Sequence, residues 1–285
     1  MSPDDRRVDP LTGARVRVVA ARQARPNQPR NDQCPFCVGG IEAPEHYDVK
    51  AFPNRWPPMP DDRAEIVLYT PDHDAAFDDL GRVGARKVVD LWADRTAALG
   101  ARDDVAYVLV FENRGPEVGA TIPHPHGQIY AYDEIPPIPA HELATEDCSL
   151  CAPPPADLLV ARAGGWRAGV PRAADWPYGL LVAPDRHLPD LPGLDDDDRD
   201  GLADVLVDVF GRLDRLFDAP MPYMAWFHQR PTDGGAWPDA HVHLHIAPLY
   251  RSPNTQRFVA AAEIGAGIFF NPVRPEDAAA ALRDA

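Results

Sequence analysis

Apolar and polar positions recur along the chain in two similar runs. Residues 66–69 read as a strand, 83–99 as a helix, 107–111 as a strand and 128–132 as another. The order then returns. Residues 180–182 are strand-like, and Leu202, Val205, Leu206, Val209, Phe210, Leu213, Leu216 and Phe217 recur at three- and four-residue steps, the stripe of an amphipathic helix. Residues 223–227 and 242–249 supply the later strands. Consecutive strands with a single helix between them predict an α+β fold, an antiparallel-rich sheet with helices packed on it, over a doubly wound parallel one. The run from Asp195 to Asp198 stands just before the second helix, where the helix dipole favours negative charge, and reads as a cap. Between the runs, residues 134–142 are proline-rich and predict a connector that is neither central strand nor helix interior. The chain is thus expected to divide into halves 1–133 and 134–285.

Composition narrows the class. With 285 residues, 45% of them hydrophobic, the chain can bury one large core or two medium ones, which excludes a disordered or fibrous protein. It has no uninterrupted apolar run of membrane-spanning length, and its first residues lack an apolar secretory segment, so a soluble, cytoplasmic protein without a membrane partner is expected. The net charge of −16 opposes broad binding of nucleic-acid backbone. An anionic small substrate needs a local site of donors or metal.

The cysteines supply the first chemistry. All four lie in two pairs, Cys34-Pro-Phe-Cys37 and Cys148-Ser-Leu-Cys151, which leaves metal ligation or redox chemistry as contenders. The histidine spacing decides for metal: His73 comes 36 residues after Cys37, and His187 comes 36 residues after Cys151. A histidine cluster then appears in each half, His124-Pro-His126 and His241-Val-His243-Leu-His245. The Cys pairs (148 − 34) and the later histidines (187 − 73) are both offset by 114 residues, the mark of a duplication. Two thiolates and two imidazoles per half suit tetrahedral Zn²⁺ with no open position, a structural site in each half.

Alternating histidines on a strand project from one face. His241, His243 and His245 are expected to form such a row, and His124, His126 and Gln128 its counterpart. The first member ligates metal, the middle one faces substrate and the third donates a hydrogen bond. Neutral imidazole attacks phosphorus when its other nitrogen is held by an acceptor and a nearby donor neutralises the phosphoryl oxygens. His126 is the expected nucleophile, and Gln128, just after the small Gly127, the expected donor. His243 is its twin by duplication, but the residues around it, His228-Gln-Arg-Pro against Asn113-Arg-Gly, favour His126.

The block from Phe111 to Tyr130, with His124-Pro-His126-Gly-Gln128 at its centre, resembles the active-site signature of the galactose-1-phosphate uridylyltransferase family, in the histidine-triad superfamily. Asp9-Pro-Leu-Thr-Gly13, Phe52-Pro-Asn-Arg-Trp56 and Tyr69-Thr-Pro-Asp-His73 fit the same resemblance, which spans nearly the whole chain. It implies a tandem histidine-triad fold and a ping-pong exchange of UMP between UDP-glucose and a hexose 1-phosphate, galactose 1-phosphate foremost, through a covalent uridylyl-histidine. By the same resemblance His126 and Gln128 are catalytic, and Cys34, Cys37, His73 and His124 ligate structural zinc. Asn54, Asn113, Gly119 and Thr121 contact nucleotide and phosphates, Arg22 and Arg25 reach a site across a homodimer, and Arg257, Phe258 and Glu263 belong to the hexose-binding segment.

Two features depart from the family pattern. A second metal, iron or zinc, held by glutamate and three histidines would match Glu142, His228, His243 and His245, but the chain repeats the first site with Cys148, Cys151, His187 and His241, and the repeat is preferred. The segment 265–271 lacks the glutamine that binds sugar hydroxyls and carries Phe269 and Phe270 near that place. Two alternatives remain: a phosphorylase or adenylyltransferase of the same superfamily, acting on ADP-sugar or dinucleoside polyphosphate, and a non-catalytic, zinc-stapled nucleotide-binding module.

Overall fold

The structure, a computed structural model, describes residues 5–24, 34–145 and 148–285. Its strands and helices run, in chain order, β1 (Asp5–Val8), β2 (Arg15–Val18), β3 (Lys50–Pro53), β4 (Ala64–Leu68), α1 (Gly81–Gly100), β5 (Tyr107–Arg114), β6 (His126–Tyr132), α2 (Pro137–Leu143), β7 (Leu159–Ala163), β8 (Trp166–Gly169), β9 (Leu180–Pro184), α3 (Asp196–Arg215), β10 (Tyr223–His228), β11 (His243–Pro248), β12 (Tyr250–Ser252), β13 (Thr255–Gln256), α4 (Ala261–Ala266) and α5 (Pro275–Asp284). Nine strands form one sheet in the order β3-β4-β6-β5-β10-β11-β9-β8-β7. Every neighbouring pair in it is antiparallel.

The order reads almost the same from either side of the β5·β10 seam. Strands β3, β4, β5 and β6 correspond to β8, β9, β10 and β11, and the duplication seen in the Cys and His spacing becomes a pseudo-twofold across that seam. Register makes the correspondence explicit: Gln128 pairs with Phe111, Phe111 with Trp226, and Trp226 with His245. One straight row therefore crosses four strands, with Gln128 and His245 at its symmetric ends.

One face of the sheet is the core. Helix α1 buries Ala85, Val88, Val89, Trp92, Ala93, Thr96 and Leu99 on a single stripe, and α3 does the same with Leu202, Val205, Leu206, Val209, Phe210 and Leu213. Both stripes pack with Val108, Val110, Ile129, Ala225, Phe227, Leu244 and Ile246 of the sheet. The acidic run before α3 caps it as expected: the Asp195 side chain accepts from the Asp198 N–H, and the Asp198 carboxylate accepts in return from the Asp195 N–H. On the opposite face a smaller cluster of Phe36, Ala43, Tyr47, Ile66 and Leu68 seats the first Cys loop on β4.

The proline-rich connector differs from expectation, because residues 137–143 form the short helix α2. Its prolines, Pro137 and Pro139, fall in the first turn, where backbone N–H groups have no intrahelical partner to lose. This places Glu142 on an ordered element. Elsewhere two glycines let backbones approach closely. Gly201 of α3 meets the Gly164 turn so tightly that a Cβ on Gly201 would lie 2.0 Å from the Gly164 carbonyl oxygen. Gly201→Ala should destabilise the fold by about 1–3 kcal/mol, as overpacking does, seen as a lowered thermal midpoint with unchanged metal content.

Candidate active site and metal centres

Three groups of donor atoms converge among the described residues, each with its ligand atoms within 4.8 Å of one another. In the first, Cys37 Sγ stands 3.3 Å from His73 Nδ1 and 3.6 Å from His124 Nδ1. Tetrahedral zinc with ordinary bond lengths sets sulfur and nitrogen ligands about 3.6 Å apart, so the donors already suit the ion. Away from the sulfur, His124 Nε2 donates to the Thr70 carbonyl at 2.8 Å, which leaves Nδ1 with the lone pair. Burial and the adjacent Cys34 push the Cys37 thiol up to about 11, so the thiolates form only against the charge of a cation. The second group, Cys148, Cys151, His187 and His241, repeats this arrangement, with Cys148 Sγ 3.2 Å from His241 Nδ1 and Cys151 Sγ 3.2 Å from His187 Nδ1. His187 Nε2 donates to the Pro238 carbonyl at 3.0 Å. Burial lowers His241 to about 4, which keeps its ring a neutral donor.

The third group is Glu142, His228, His243 and His245. His228 Nδ1 lies 2.7 Å from Glu142 Oε2, and His243 Nε2 lies 3.0 Å from His245 Nε2. Burial raises the Glu142 carboxyl, but the hydrogen bond from His228 and the nearness of the His243 ring outweigh it and leave the group well below the usual carboxylate range. Burial and the neighbouring His243 lower His245 to about 3. One carboxylate and three imidazoles fit iron or zinc. The sequence poses this group and the second Cys–His group as alternatives; the fold assembles both. The reason is where β11 begins. His241 precedes the strand and turns to the Cys loop, whereas His243 and His245 lie within it and meet His228 of β10 and Glu142 of α2. The expected three-histidine row is thus a two-histidine row with a detached first member, and His124 likewise precedes β6.

His126 opens β6 on the face away from the core helices. Its Nδ1 is 2.7 Å from the carbonyl oxygen of His124, so Nδ1 carries the proton and Nε2 the lone pair. The Phe36 ring stands edge-on to it with centroids 5.1 Å apart. Two residues along the same face, Gln128 accepts at Oε1 from the Tyr130 hydroxyl at 3.2 Å and from Asn54 Nδ2 at 3.4 Å. With both donors on the amide oxygen, the Gln128 NH₂ is the group left to meet an anion. Asn113 lies on this face of β5, and together with His124 and His126 it lines a cavity of about 50 Å³ at the strand ends. The pseudo-twofold equivalents of Asn113, His126 and Gln128 are His228, His243 and His245, so the third donor group occupies the mirror of this site.

The remaining candidates are placed less tightly. Gly119 closes a helical turn at Pro116–Val118 with φ +82°, a left-handed conformation natural to glycine, and leads into Thr121. Arg22 lines a cavity of about 860 Å³ between the β1–β2 hairpin and Tyr130 and Tyr132 of β6. Arg25 lies outside the described residues. Arg257 and Glu263 form a buried ion pair at 2.7 Å, the guanidinium lying 4.6 Å from the centre of the Trp176 ring. Phe258 beside them is 75% exposed, and none of these three lines the cavity at His126. No sequence motif marks Tyr47, whose hydroxyl donates to the Phe36 carbonyl at 2.7 Å and meets His124 Nε2 at 2.9 Å. The same holds for Trp226, stacked on His245 at 5.1 Å, and for the buried Glu112. A lone aromatic or acid, in a loop like Tyr47 or in a strand like Trp226 and Glu112, carries no spacing signal that marks it.

Known proteins resemble this chain over nearly its whole length. A family model described as galactose-1-phosphate uridyl transferase, N-terminal domain, matches residues 58–136, and its C-terminal-domain counterpart matches residues 154–284. A galactose-1-phosphate uridylyltransferase of Thermotoga maritima is 36% identical over 98% of this chain and 97% of its own. A solved uridylyltransferase structure superposes with a TM-score of 0.89 at 31% identity, covering 98% of this chain and 97% of that one. An Arabidopsis thaliana ADP-glucose phosphorylase with bound ADP-glucose superposes at 0.78 with 25% identity, covering 99% of both chains.

Proposed function

The chain belongs to the galactose-1-phosphate uridyl transferase family, and from that premise we propose that it moves UMP between UDP-glucose and a hexose 1-phosphate, galactose 1-phosphate foremost, by way of His126. The observation that carries the residue assignment is the pairing of a pinned imidazole with a pinned amide: His126 Nδ1 tied to the His124 carbonyl, and Gln128 Oε1 tied to Tyr130 and Asn54.

In this reading the His126 Nε2 lone pair forms a bond to the α-phosphorus of the nucleotide sugar. The P–O bond to the sugar phosphate breaks, and its electron pair leaves on the phosphate oxygen, which needs no proton at neutral pH. The ring keeps its Nδ1 proton and becomes a cation held by the His124 carbonyl. The Gln128 NH₂ faces the phosphoryl oxygens as their charge shifts. A second sugar 1-phosphate then reverses the sequence. Because the ring is fixed by Nδ1 on one side and Phe36 on another, the attacking atom is positioned before substrate arrives.

Zinc held by Cys34, Cys37, His73 and His124, and again by Cys148, Cys151, His187 and His241, would supply cross-linking with no open position. Glu142, His228, His243 and His245 would hold iron or zinc. The chain's halves, 1–133 and 134–285, then serve as a catalytic half and a stapled partner half, in a cytoplasmic enzyme. A homodimer is part of the proposal, supported by the exposed apolar group of Phe258, Ile264, Ile268, Phe269 and Phe270 beside the Arg257–Glu263 pair. No helix among the described residues is long and apolar enough to cross a membrane.

The test is a trapping experiment. Enzyme mixed with UDP-glucose labelled in the uridylyl group should acquire one covalent label per site and release glucose 1-phosphate, and galactose 1-phosphate should then discharge it. Labelling by ADP-glucose in place of UDP-glucose would replace the reading with an adenylyl-transferring phosphorylase. No adduct with either would leave a nucleotide-binding module.

A further inference from the structure

Behind the strand that carries His126 lies a polar group that the transfer reading leaves unused. Glu112 is 8% exposed on the helix side of β5, the face turned away from substrate, and accepts from the Tyr223 hydroxyl at 2.9 Å. Arg114, two residues on, makes a two-pronged ion pair with Asp214 at 2.6 and 2.9 Å, and Asp78 stands near that pair. Tyr69 completes the titratable groups packed around the carboxyl. It reaches this place because residue 127 is glycine: a Cβ there would fall 2.2 Å from the Tyr69 hydroxyl oxygen. The cavity at the ends of β5 and β6 is lined by Glu112 and Tyr69 as well as by Asn113, His124 and His126, so it joins the two sides of the sheet at the nucleophile.

The duplicated half lacks all of this. By the sheet register, the equivalents of Glu112 and Gly127 are Phe227 and Leu244, both buried in the apolar core. There the carboxylate, Glu142, sits on the other face, within the donor group of His243. Each half thus places one carboxyl near its middle histidine, in front in one case and behind in the other. Burying a carboxyl in an apolar core costs stability that its hydrogen bonds only partly repay. Burial pushes Glu112 up to about 7, against the opposing pull of the Tyr223 hydrogen bond and the Arg114 charge.

Building on the histidine-nucleophile reading, we propose that Glu112 is the buried counter-charge for the cationic uridylyl-imidazolium of His126, a positioning residue that acts across the β5–β6 pair without touching substrate. When Nε2 bonds to phosphorus while Nδ1 keeps its proton, the ring gains one positive charge and no proton moves. A fixed carboxylate in a low-dielectric layer favours that cation over the neutral ring. Tyr223 holds the carboxylate at its post, and Tyr69 with Gly127 keeps the strand close above it.

The test is the single-turnover rate of His126 labelling by UDP-glucose, measured against pH in wild type, Glu112→Gln, Tyr223→Phe and His126→Gly. Glu112→Gln keeps the shape and the acceptor for Tyr223. It should slow labelling about tenfold, less than the loss of a donor in direct contact, with half-saturation by UDP-glucose unchanged and a shallower fall in rate below pH 7. The variant should fold: a carboxyl whose pKa is raised by folding weakens the fold as pH climbs from its unfolded value to about 7, and neutral glutamine removes that penalty. Tyr223→Phe removes a bond that favours the ionised carboxyl, so the midpoint of the rate profile should move to higher pH. A Glu112→Gln enzyme with wild-type rate and profile overturns the proposal, as does an unmoved Tyr223→Phe profile. Wild-type enzyme that takes up no more label than His126→Gly overturns the nucleophile reading itself, which separates the two failures.

Discussion

His126→Gly should remain folded and lose UMP exchange by at least about 10⁴-fold, the scale seen when a covalent nucleophile is removed and only binding and electrostatics remain. The covalent label from UDP-glucose should vanish with it. His243→Gly is the informative partner, because the duplication makes the two rings equivalent in sequence: each donates Nδ1–H to the carbonyl two residues before it, at 2.7 Å for His126 and 2.8 Å for His243. What separates them is the company of Nε2. On His243 that nitrogen lies 3.0 Å from His245 Nε2 and 3.6 Å from the Glu142 carboxylate, the setting of a metal ligand. At the equivalent positions His126 has Gln128 and Asn113, whose amides donate to a phosphoryl group. His243→Gly should therefore keep the label on His126 and lose metal instead. Full exchange in His126→Gly together with none in His243→Gly would reverse the assignment of the halves.

The long periodic elements were legible because periodicity reports burial. The stripes of α1 and α3 and the alternation in β5, β6, β10 and β11 were all expected within a few residues of where they stand. The hairpin β1–β2 was not, since each strand is only four residues long, Arg6 and Arg7 stand side by side in β1, and Val8 and Val16 are exposed. Strands β3, β7 and β8 are four or five residues long, too short for a period to register. The Cys and His donors could be named from spacing, but spacing does not say whether two sets exclude each other. Only the start of β11 at His243, which frees His241 to turn to the Cys loop, shows that eight donors in the second half form two groups. Glu112 was invisible for the opposite reason: in sequence it is one more acid after a strand of apolar residues, and its significance lies in burial and in what its duplicate has become.

That pair of groups sets the second large expectation, which is three metal ions per chain. Each Cys₂His₂ group should hold zinc, and Glu142, His228, His243 and His245 a third ion of iron or zinc. Structural zinc sites contribute about 10–16 kcal/mol of apparent binding free energy at neutral pH, comparable to the entire stability of a domain. Cys37→Ser removes the ligand that both His73 and His124 face, and the loop it anchors carries Phe36 against His126. It should therefore lose one zinc, lower the thermal midpoint by about 10 °C or more and abolish labelling. Cys148→Ser should lose a different zinc with a similar fall in stability. Glu142→Gln or His245→Ala should lose only the third ion, because His241 and its cysteines do not depend on them for ligation. Metal content by mass spectrometry of each purified variant, read beside its melting curve, decides the matter. If wild type holds two ions, and Cys148→Ser and His245→Ala each remove the same one, the two groups share a single site after all. If the three losses are separate, the second half is held by two metals of different chemistry, ligated from alternate positions of one short segment. Its middle histidine is then committed to ligation, and the chemistry falls to the other half.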